Sequence, residues 1–289
     1  MDRDESQDRT KPGRMRCMEI WGGNSAIEKN FEAPGLDIYV HCAPYQDSQS
    51  GGGDIYYLTS CASGRISRFL LADVSGHGEA VSKIAVSLRD LLRENVNRIS
   101  QEKFVKSMNR EFSQVAGDAV FATSAVATFF QPSNSLSVSV AGHPYPFYYR
   151  ASKQKWLYLD PAVKDQGLEN LPLGVHEESN FPGISLTTEP GDMFLMYSDA
   201  FIESMNPDNQ LLGIRGLLEI LNKFQQIGPE EVIPQLRESI GAMDSVNLQG
   251  DDATLILGHF TLTNVRLRDN LMSPIRLLGD VCDNTHFDR

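Results

Sequence analysis

Residues 69–78, FLLADVSGHG, give the clearest structural signal in this sequence. The first four residues form an apolar run that is typical of a strand buried on both faces. Asp73 follows directly, and two glycines then surround His77 before a helical pattern begins at about Glu79. A carboxylate at the end of a buried strand, beside backbone that can turn tightly, is suited to holding a cation. A plain chain reversal explains this stretch, taken alone, equally well.

Composition sets the class of protein. The 289 residues carry a net charge of −12 and are 41% hydrophobic, enough for one large domain or two small ones. Because no apolar run could cross a bilayer and the N-terminus is charged, we expect a soluble, cytoplasmic protein without membrane contact. The acidic balance argues against nucleic acid as a partner. The four cysteines are far apart and lack a C-x-x-C pair, which predicts reduced thiols.

The chain divides into three expected segments: a polar N-terminal segment expected to be disordered (1–20), a folded domain (21–260) and a tail (261–289). An apolar cluster at 271–278 favours a short docking helix in the tail. Within the domain, strands are predicted at residues 36–40, 54–58, 65–72, 121–130, 136–141, 146–150, 155–159, 184–188, 192–197 and 254–260. Helices are predicted at residues 79–96, 101–112, 215–224 and 230–243, and Ser100 can cap the second.

The order of these elements predicts the fold class. The helices come in pairs, and short turns join consecutive strands, which favours antiparallel sheets covered by helices over alternating βαβ units. We therefore predict an α+β fold, a four-layer α-β-β-α sandwich with two antiparallel sheets flanked by helical layers. Strands 54–58 and 65–72 are neighbours in this scheme, so Asp54 and Asp73 are expected to meet across a hairpin-like pair.

Acidic residues recur at the ends of apolar strand runs, at Asp54, Asp73, Asp199 and the pair Asp251 and Asp252. Hard divalent cations prefer such oxygen ligands. Two cations a few ångströms apart can share a carboxylate and acidify a bound water for attack on phosphorus. A single strand-end Asp is more often a turn former or a surface charge, so the prediction of a metal centre rests on the combination.

Two histidines lie in glycine-containing turns, His77 and His143. We interpret both as loop residues, although His77 could also act as a proton shuttle or a ligand. Neither has an identifiable triad partner, so the sequence gives little support to serine-hydrolase chemistry.

Six segments resemble a known superfamily and occur in its order: GGGD (51–54), ADVSGHG (72–78), VAGHPYPFYYR (140–150), LPLGV (171–175), EPGDMFLMYSDAFIESMNPD (189–208) and DDATLIL (251–257). Together they resemble the metal-dependent protein phosphatases of the PPM (type 2C) superfamily. Within it they are similar to the bacterial sporulation-phosphatase branch, which includes RsbU-type regulators of sigma factors. The resemblance spans residues 36–260, and ADVSGHG and AGHP are specific to that branch.

The resemblance implies two Mn²⁺ or Mg²⁺ at one end of the sandwich. They would support hydrolysis of protein phosphoserine or phosphothreonine by attack of a metal-bridging hydroxide. Asp54 and Asp73 would be the catalytic acids, with Asp73 shared by both cations. The implied metal ligands are Asp54, Asp73, the carbonyl of Val74, Asp199, Asp251 and, ranked last, Asp252. The implied role is in sigma-factor regulation, with a phosphorylated anti-sigma-factor antagonist as the substrate, and no substrate-binding residue is indicated.

Three departures from the family pattern keep alternatives open. Ala200 stands where relatives usually have glycine, and Tyr57 stands where relatives often have another acid. The sensor domain common in relatives does not precede these motifs, so we expect control by a regulatory partner, a homodimer, the termini or expression. The alternatives are a pseudophosphatase that binds a phosphoprotein without cleaving it, and an enzyme acting on a small phosphate ester.

Overall fold

The computed structural model of the protein describes residues 13–14, 19–45, 52–61, 65–76, 79–95, 98, 100–116, 120–160, 169–224, 227–262 and 282–283. His77 and the predicted helix at 271–278 lie outside these residues, as does most of the segment 1–20 that was expected to be disordered.

The described residues form fourteen strands and five α-helices. The strands are β1 (Gly13–Arg14), β2 (Glu19–Gly23), β3 (Ile27–Ala33), β4 (Leu36–Ala43), β5 (Asp54–Cys61), β6 (Ile66–Val74), β7 (Ala122–Phe130), β8 (Ser135–Ala141), β9 (Phe147–Arg150), β10 (Lys155–Tyr158), β11 (Ile184–Thr187), β12 (Met193–Tyr197), β13 (Ala253–Phe260) and β14 (Cys282–Asp283). The helices are α1 (Glu79–Asn95), α2 (Gln101–Ala116), α3 (Ala200–Glu203), α4 (Gly213–Leu221) and α5 (Pro229–Gly241).

The strands build two seven-stranded sheets. The first sheet has the order β1-β3-β4-β13-β12-β9-β10, and the second has the order β11-β8-β7-β6-β5-β2-β14. Neighbouring strands are antiparallel except at two edges, where the two-residue strands β1 and β14 run parallel to β3 and β2. The prediction of two antiparallel sheets is confirmed apart from these edge pairs.

Side-chain alternation sorts the core into three layers. Tyr56 and Ile256 belong to the apolar cluster between the two sheets. Their chain neighbours point the other way: Tyr57 packs in the cluster with α1 and α2, and Leu255 packs in the cluster with α4 and α5. Both sheets are therefore covered on both faces, which explains why β6 and β12 are nearly continuous apolar runs. The predicted four-layer α-β-β-α sandwich is confirmed.

The helices that cover the sheets are amphipathic, as their spacing predicts. In α2, the residues Phe104, Met108 and Phe112 are buried against the second sheet. Ser100 caps this helix, since the Lys103 N–H donates to its hydroxyl oxygen at 3.4 Å. None of the helices in the described part of the chain combines the length and the apolar character needed to span a bilayer.

The ten predicted strands and four predicted helices all have counterparts, whereas four strands and one helix were not predicted. The unpredicted β3 pairs with β4 through a turn at Gly35, which has φ +76°. The unpredicted β2 contains Gly22, where a Cβ atom would lie 2.2 Å from Cδ1 of Tyr57. The glycine that weakens β2 as a sequence pattern is thus needed for close strand packing. Strand β1 and the start of β2 lie within the segment 1–20.

Candidate functional site

Asp54 and Asp73 lie directly opposite each other on β5 and β6. Asp54 is the first residue of β5, and Asp73 is the next-to-last residue of β6. Tyr56 stands two residues after Asp54, and Leu71 stands two residues before Asp73. Both belong to the core between the sheets. Alternation therefore directs both carboxylates to the inner face at one end of the sandwich. The predicted cross-strand meeting of these two acids is confirmed.

The Asp54 side chain is buried and faces the first sheet. Burial raises the pKa of Asp54 well above its ordinary value, the nearby hydroxyls of Thr254 and Ser198 lower it, and the charges of Asp73 and Asp252 raise it further. Its Oδ2 atom is buried and has no hydrogen-bond partner among the described residues. A buried carboxylate oxygen in this state favours either a proton or a cation.

Asp73 is linked electrostatically to the other acids. Burial is the largest cause that raises the pKa of Asp73 to about 6, and the charges of Asp199, Asp251 and Asp252 add to the rise. These carboxylates therefore share one region at the end of the sandwich, where their mutual repulsion favours bound positive charge.

The central strands of the first sheet bring Asp199 and Asp251 to this region. Strands β12 and β13 are antiparallel neighbours, and their pairing continues beyond β12, where the Ser198 N–H donates to the Thr254 carbonyl at 3.0 Å. Asp199 follows β12 by two residues, and Asp251 precedes β13 by two, so both lie at the same end of the sheet. Burial and then the charge of Asp251 raise the pKa of Asp199.

Gly53 leaves a small space between oxygen atoms of the site. A Cβ atom at this position would lie 3.1 Å from Asp73 Oδ1, 3.3 Å from the Val74 carbonyl oxygen and 3.5 Å from Asp252 Oδ2. Carboxylate and carbonyl oxygens are the ligands that Mg²⁺ and Mn²⁺ prefer. By the type and placement of these donors, the residues fit a divalent cation.

The ligand shell itself is not assembled. Within the described residues, no three His, Cys, Asp or Glu side chains are arranged closely enough to hold a metal ion. The sheets fix the backbone positions of the acids, and like charges oppose a closer approach of their carboxylates. The structure thus provides a group of neighbouring acids around a small oxygen-lined space.

Asp252 differs from the other acids because backbone amides occupy both of its oxygens. Its Oδ1 accepts the Tyr45 N–H at 2.6 Å. Its Oδ2 accepts the N–H of Gly53 at 2.5 Å and the N–H of Asp54 at 3.2 Å. Asp252 is therefore joined to the backbone from which Asp54 extends.

Two of the departures from the family pattern, Ala200 and Tyr57, do not obstruct the site. Ala200 begins α3 with helical backbone, so no positive φ requires glycine there, and its side chain is buried in the core next to α4 and α5. Tyr57 is fully buried on the opposite face of β5 from Asp54, among residues of α1 and α2. Its phenol ring therefore belongs to the core and leaves the acidic region free.

His143 lies in the loop between β8 and β9. It is buried, and burial lowers its pKa to about 4. Neither ring nitrogen has a hydrogen-bond partner among the described residues. This position agrees with its interpretation as a loop residue.

Sequence reasoning missed two hydroxyl residues of the site, Ser198 and Thr254. The Ser198 hydroxyl donates to the Asp252 carbonyl at 3.1 Å and accepts the Thr254 N–H at 2.9 Å. Strand alternation is the one feature of the sequence that could have indicated them. Ser198 stands two residues from Met196 and Thr254 two residues from Ile256, and both of these apolar residues lie in the core between the sheets. Hydroxyl residues at strand ends are too common for that signal to identify them.

An α-β-β-α sandwich with acids gathered at one sheet end is the architecture that the sequence motifs imply for a PPM-type protein. The family described as "Stage II sporulation protein E (SpoIIE)" matches residues 63–261. The chain belongs to this family.

Individual relatives agree with this assignment. The chain is 24% identical over 226 residues to the phosphoserine phosphatase RsbU of Bacillus subtilis (strain 168), covering 77% of this chain and 62% of the relative, so it spans less than two thirds of that protein. The PP2C phosphatase domain of the cell fate determinant SpoIIE from Bacillus subtilis, solved with a fragment of its regulatory domain, has a TM-score of 0.61 at 19% identity, covering 77% of this chain and 63% of that chain. RsbX in complex with magnesium has a TM-score of 0.59 at 16% identity, covering 81% of this chain and 100% of that chain. Both structures share the fold.

Proposed function

We propose that this protein is a metal-dependent protein serine/threonine phosphatase that acts in bacterial sigma-factor regulation. The observation that carries the proposal is the buried Asp54 carboxylate opposite Asp73, at the end of the sandwich where the other acids gather. Membership of the SpoIIE family and the similarity to a phosphoserine phosphatase support the reaction. The proposed substrate is a phosphorylated anti-sigma-factor antagonist.

Five residues would hold two Mg²⁺ or Mn²⁺ ions. Asp54, Asp73 and the Val74 carbonyl would hold one ion, and Asp73, Asp199 and Asp251 would hold the other. When bound, two such ions supply an acidified water for in-line attack on phosphorus and neutralise the charge of the phosphoryl group. The similarity to a protein solved with magnesium supports an ion of this type.

The chain's own contribution is to hold the acids close together in a buried region. The Ser198 hydroxyl donates to the Asp252 carbonyl and accepts the Thr254 N–H, which fixes these two residues of the first sheet beside Asp54. Burial raises the pKa of both Asp54 and Asp73, so cation binding must displace protons from them. Cation affinity should therefore increase as the pH rises through about 6.

The alternative, phosphoprotein binding without cleavage, has no specific observation in its favour. The four acids from which the mechanism is built, Asp54, Asp73, Asp199 and Asp251, are all present. Ala200 and Tyr57 are accommodated in the core without disturbing them.

A phosphatase assay with matched variants tests the proposal. The purified protein should hydrolyse an aryl phosphate and a phosphoserine protein with added Mn²⁺, lose this activity with a chelator, and regain it with excess Mn²⁺. Asp54→Asn keeps the shape of the buried side chain and removes its charge, so turnover should fall by about a hundredfold or more. Asp208→Asn makes the same change at an exposed loop position and should have no effect.

Three results would count against the proposal. Hydrolysis that persists with a chelator would remove the metal-dependent reaction. Phosphoprotein binding with no turnover under any metal condition would favour the pseudophosphatase. Cleavage of the aryl phosphate and of small esters, but of no phosphoprotein, would assign a different substrate class.

A further inference from the structure

The carboxylate of Asp252 joins the ends of the two sheets. Tyr45 follows β4 of the first sheet, whereas Gly53 and Asp54 stand where β5 of the second sheet begins. All three donate a backbone N–H to the same carboxylate. Hydrogen bonds from N–H groups to an ionised carboxylate are among the stronger ones in proteins. This one side chain thus connects the backbone of Asp54 to the first sheet.

Three further hydrogen bonds hold the backbone of residues 52–53. The Gly52 N–H donates to the Asn24 carbonyl at 3.0 Å, and the Asn24 side-chain amide donates to the Gly52 carbonyl at 3.0 Å. The Val74 N–H donates to the Gly53 carbonyl at 3.2 Å. The backbone of residues 52–54 is therefore fixed between Asn24, Val74 and Asp252. Asp252, which directly precedes β13 of the first sheet, also accepts the N–H of Tyr45.

The close packing of Gly52 against Asp252 agrees with these hydrogen bonds. A Cβ atom on Gly52 would lie 2.4 Å from Cγ and from both carboxylate oxygens of Asp252. Glycine at this position allows the carboxylate to lie directly against the turn. The side chain is thus packed against the backbone whose amides it accepts, and its lone pairs are directed towards N–H groups.

We propose that Asp252 is a positioning residue: its carboxylate holds the backbone of Gly53 and Asp54 so that the Asp54 side chain faces Asp73, and it is not a cation ligand. This inference deepens the proposed function and rests on it, since Asp54 and Asp73 matter there as cation ligands. It separates Asp252 from Asp251, its chain neighbour, which remains a proposed ligand.

Hydrogen exchange in metal-free protein tests the positioning role without reference to activity. In Asp252→Asn one oxygen acceptor is replaced by an NH₂ group that faces N–H donors. The amide protons of Gly53 and Asp54 should then exchange about tenfold faster or more. Asp251→Asn, the same change one residue earlier, should leave their exchange unchanged. Equal exchange in wild type and Asp252→Asn would overturn the proposal.

A second pair of variants keeps the test valid if Asp252→Asn does not fold. Gly52→Ala would displace the Asp252 carboxylate without removing its charge and should accelerate the same two amides. Gly250→Ala is the matched control, because a Cβ atom there would meet no atom within 4 Å. Acceleration by both alanine variants, or by neither, would contradict the proposal.

Calorimetric titration with Mn²⁺ separates positioning from ligation. If Asp252 positions Asp54, Asp252→Asn should bind as many ions as wild type, with affinity weaker by about tenfold. Loss of one bound ion, or unchanged affinity, would overturn the proposal. Failure of the proposed function is distinguishable, because wild-type protein would then bind Mn²⁺ without hydrolysing phosphoserine, while the exchange results would still report on Asp252.

Discussion

Asp54 and Asp73 are register partners on adjacent antiparallel strands, which sets two carboxylates side by side on the inner face of the second sheet. Like charges placed directly opposite each other on a sheet are destabilising. Burial raises the pKa of both groups. The charge of Asp73 raises the pKa of Asp54 further, and the charges of Asp199, Asp251 and Asp252 raise that of Asp73. Strand pairing, which is essential to the fold, thus holds together two acids whose repulsion is relieved by a proton or by a bound cation.

The first prediction concerns Asp73. Asp73→Asn retains the side-chain shape and removes the charge that the two proposed cations would share. Turnover of phosphoserine protein should therefore fall by at least about a thousandfold, or about 4 kcal/mol in the activation barrier. The melting temperature of metal-free protein should be unchanged or higher, since one of several neighbouring like charges is gone.

Steady-state kinetics and metal-free thermal melts measure the two effects separately. Asp208→Asn, at an exposed loop position, is the control for both. An Asp73→Asn protein that still hydrolyses phosphoserine at nearly the wild-type rate would eliminate the two-metal mechanism.

The sequence predicts the fold well because burial on both faces leaves long apolar runs. The run at 69–72 identifies β6, and the strand before it then predicts the pairing of Asp54 with Asp73. The strand β3 was missed because three of its seven residues are charged and only Phe31 is fully buried. The helix α3 was missed because a single turn is too short to show a helical period.

The role of Asp252 could not be read from the sequence. Its partners are backbone N–H groups, which every residue except proline carries and which leave no trace in the residue types. They lie 198 to 207 positions away along the chain. The motif places Asp252 beside Asp251, and only the packing of the two sheets shows that their carboxylates have different surroundings.

The second prediction concerns the space at Gly53. In Gly53→Ala the added methyl group would lie 3.1 Å from Asp73 Oδ1 and 3.3 Å from the Val74 carbonyl, tighter than ordinary contact. Mn²⁺ affinity should therefore weaken by about tenfold or more, with a matching loss of activity at low Mn²⁺. Calorimetric titration measures the affinity, and Gly250→Ala is the control. Wild-type affinity in Gly53→Ala would show that the cation does not occupy this space.

The third prediction is that Ala200 is compatible with full activity. Its helical backbone conformation is accessible to alanine, and its methyl group is already packed in the core. Ala200→Gly should change turnover by less than a factor of a few and should lower the free energy of unfolding by about 0.5–1 kcal/mol. Turnover that rises by several orders of magnitude would instead identify the natural protein as a pseudophosphatase.

The fourth prediction uses the pH dependence of stability at His143. Burial lowers its pKa from 6.5 to about 4, so between these values the unfolded chain binds more protons at this residue than the folded protein does. The stabilising contribution of neutral His143 is therefore complete above about pH 6.5 and is lost as the pH falls towards 4. Its loss amounts to about 1.4 kcal/mol for each pH unit in the middle of this window.

The difference in unfolding free energy between wild type and His143→Gln isolates this residue from the other titrating groups. Denaturant unfolding of metal-free protein at pH 7, 6 and 5 should show wild type losing stability faster than the variant as the pH falls. His176→Gln makes the same change at an exposed histidine and is the control for the substitution itself. If the His143→Gln curve is parallel to wild type, then His143 binds a proton in the folded protein as readily as in the unfolded chain. The loop between β8 and β9 would then have to open to water, contrary to the burial of this side chain.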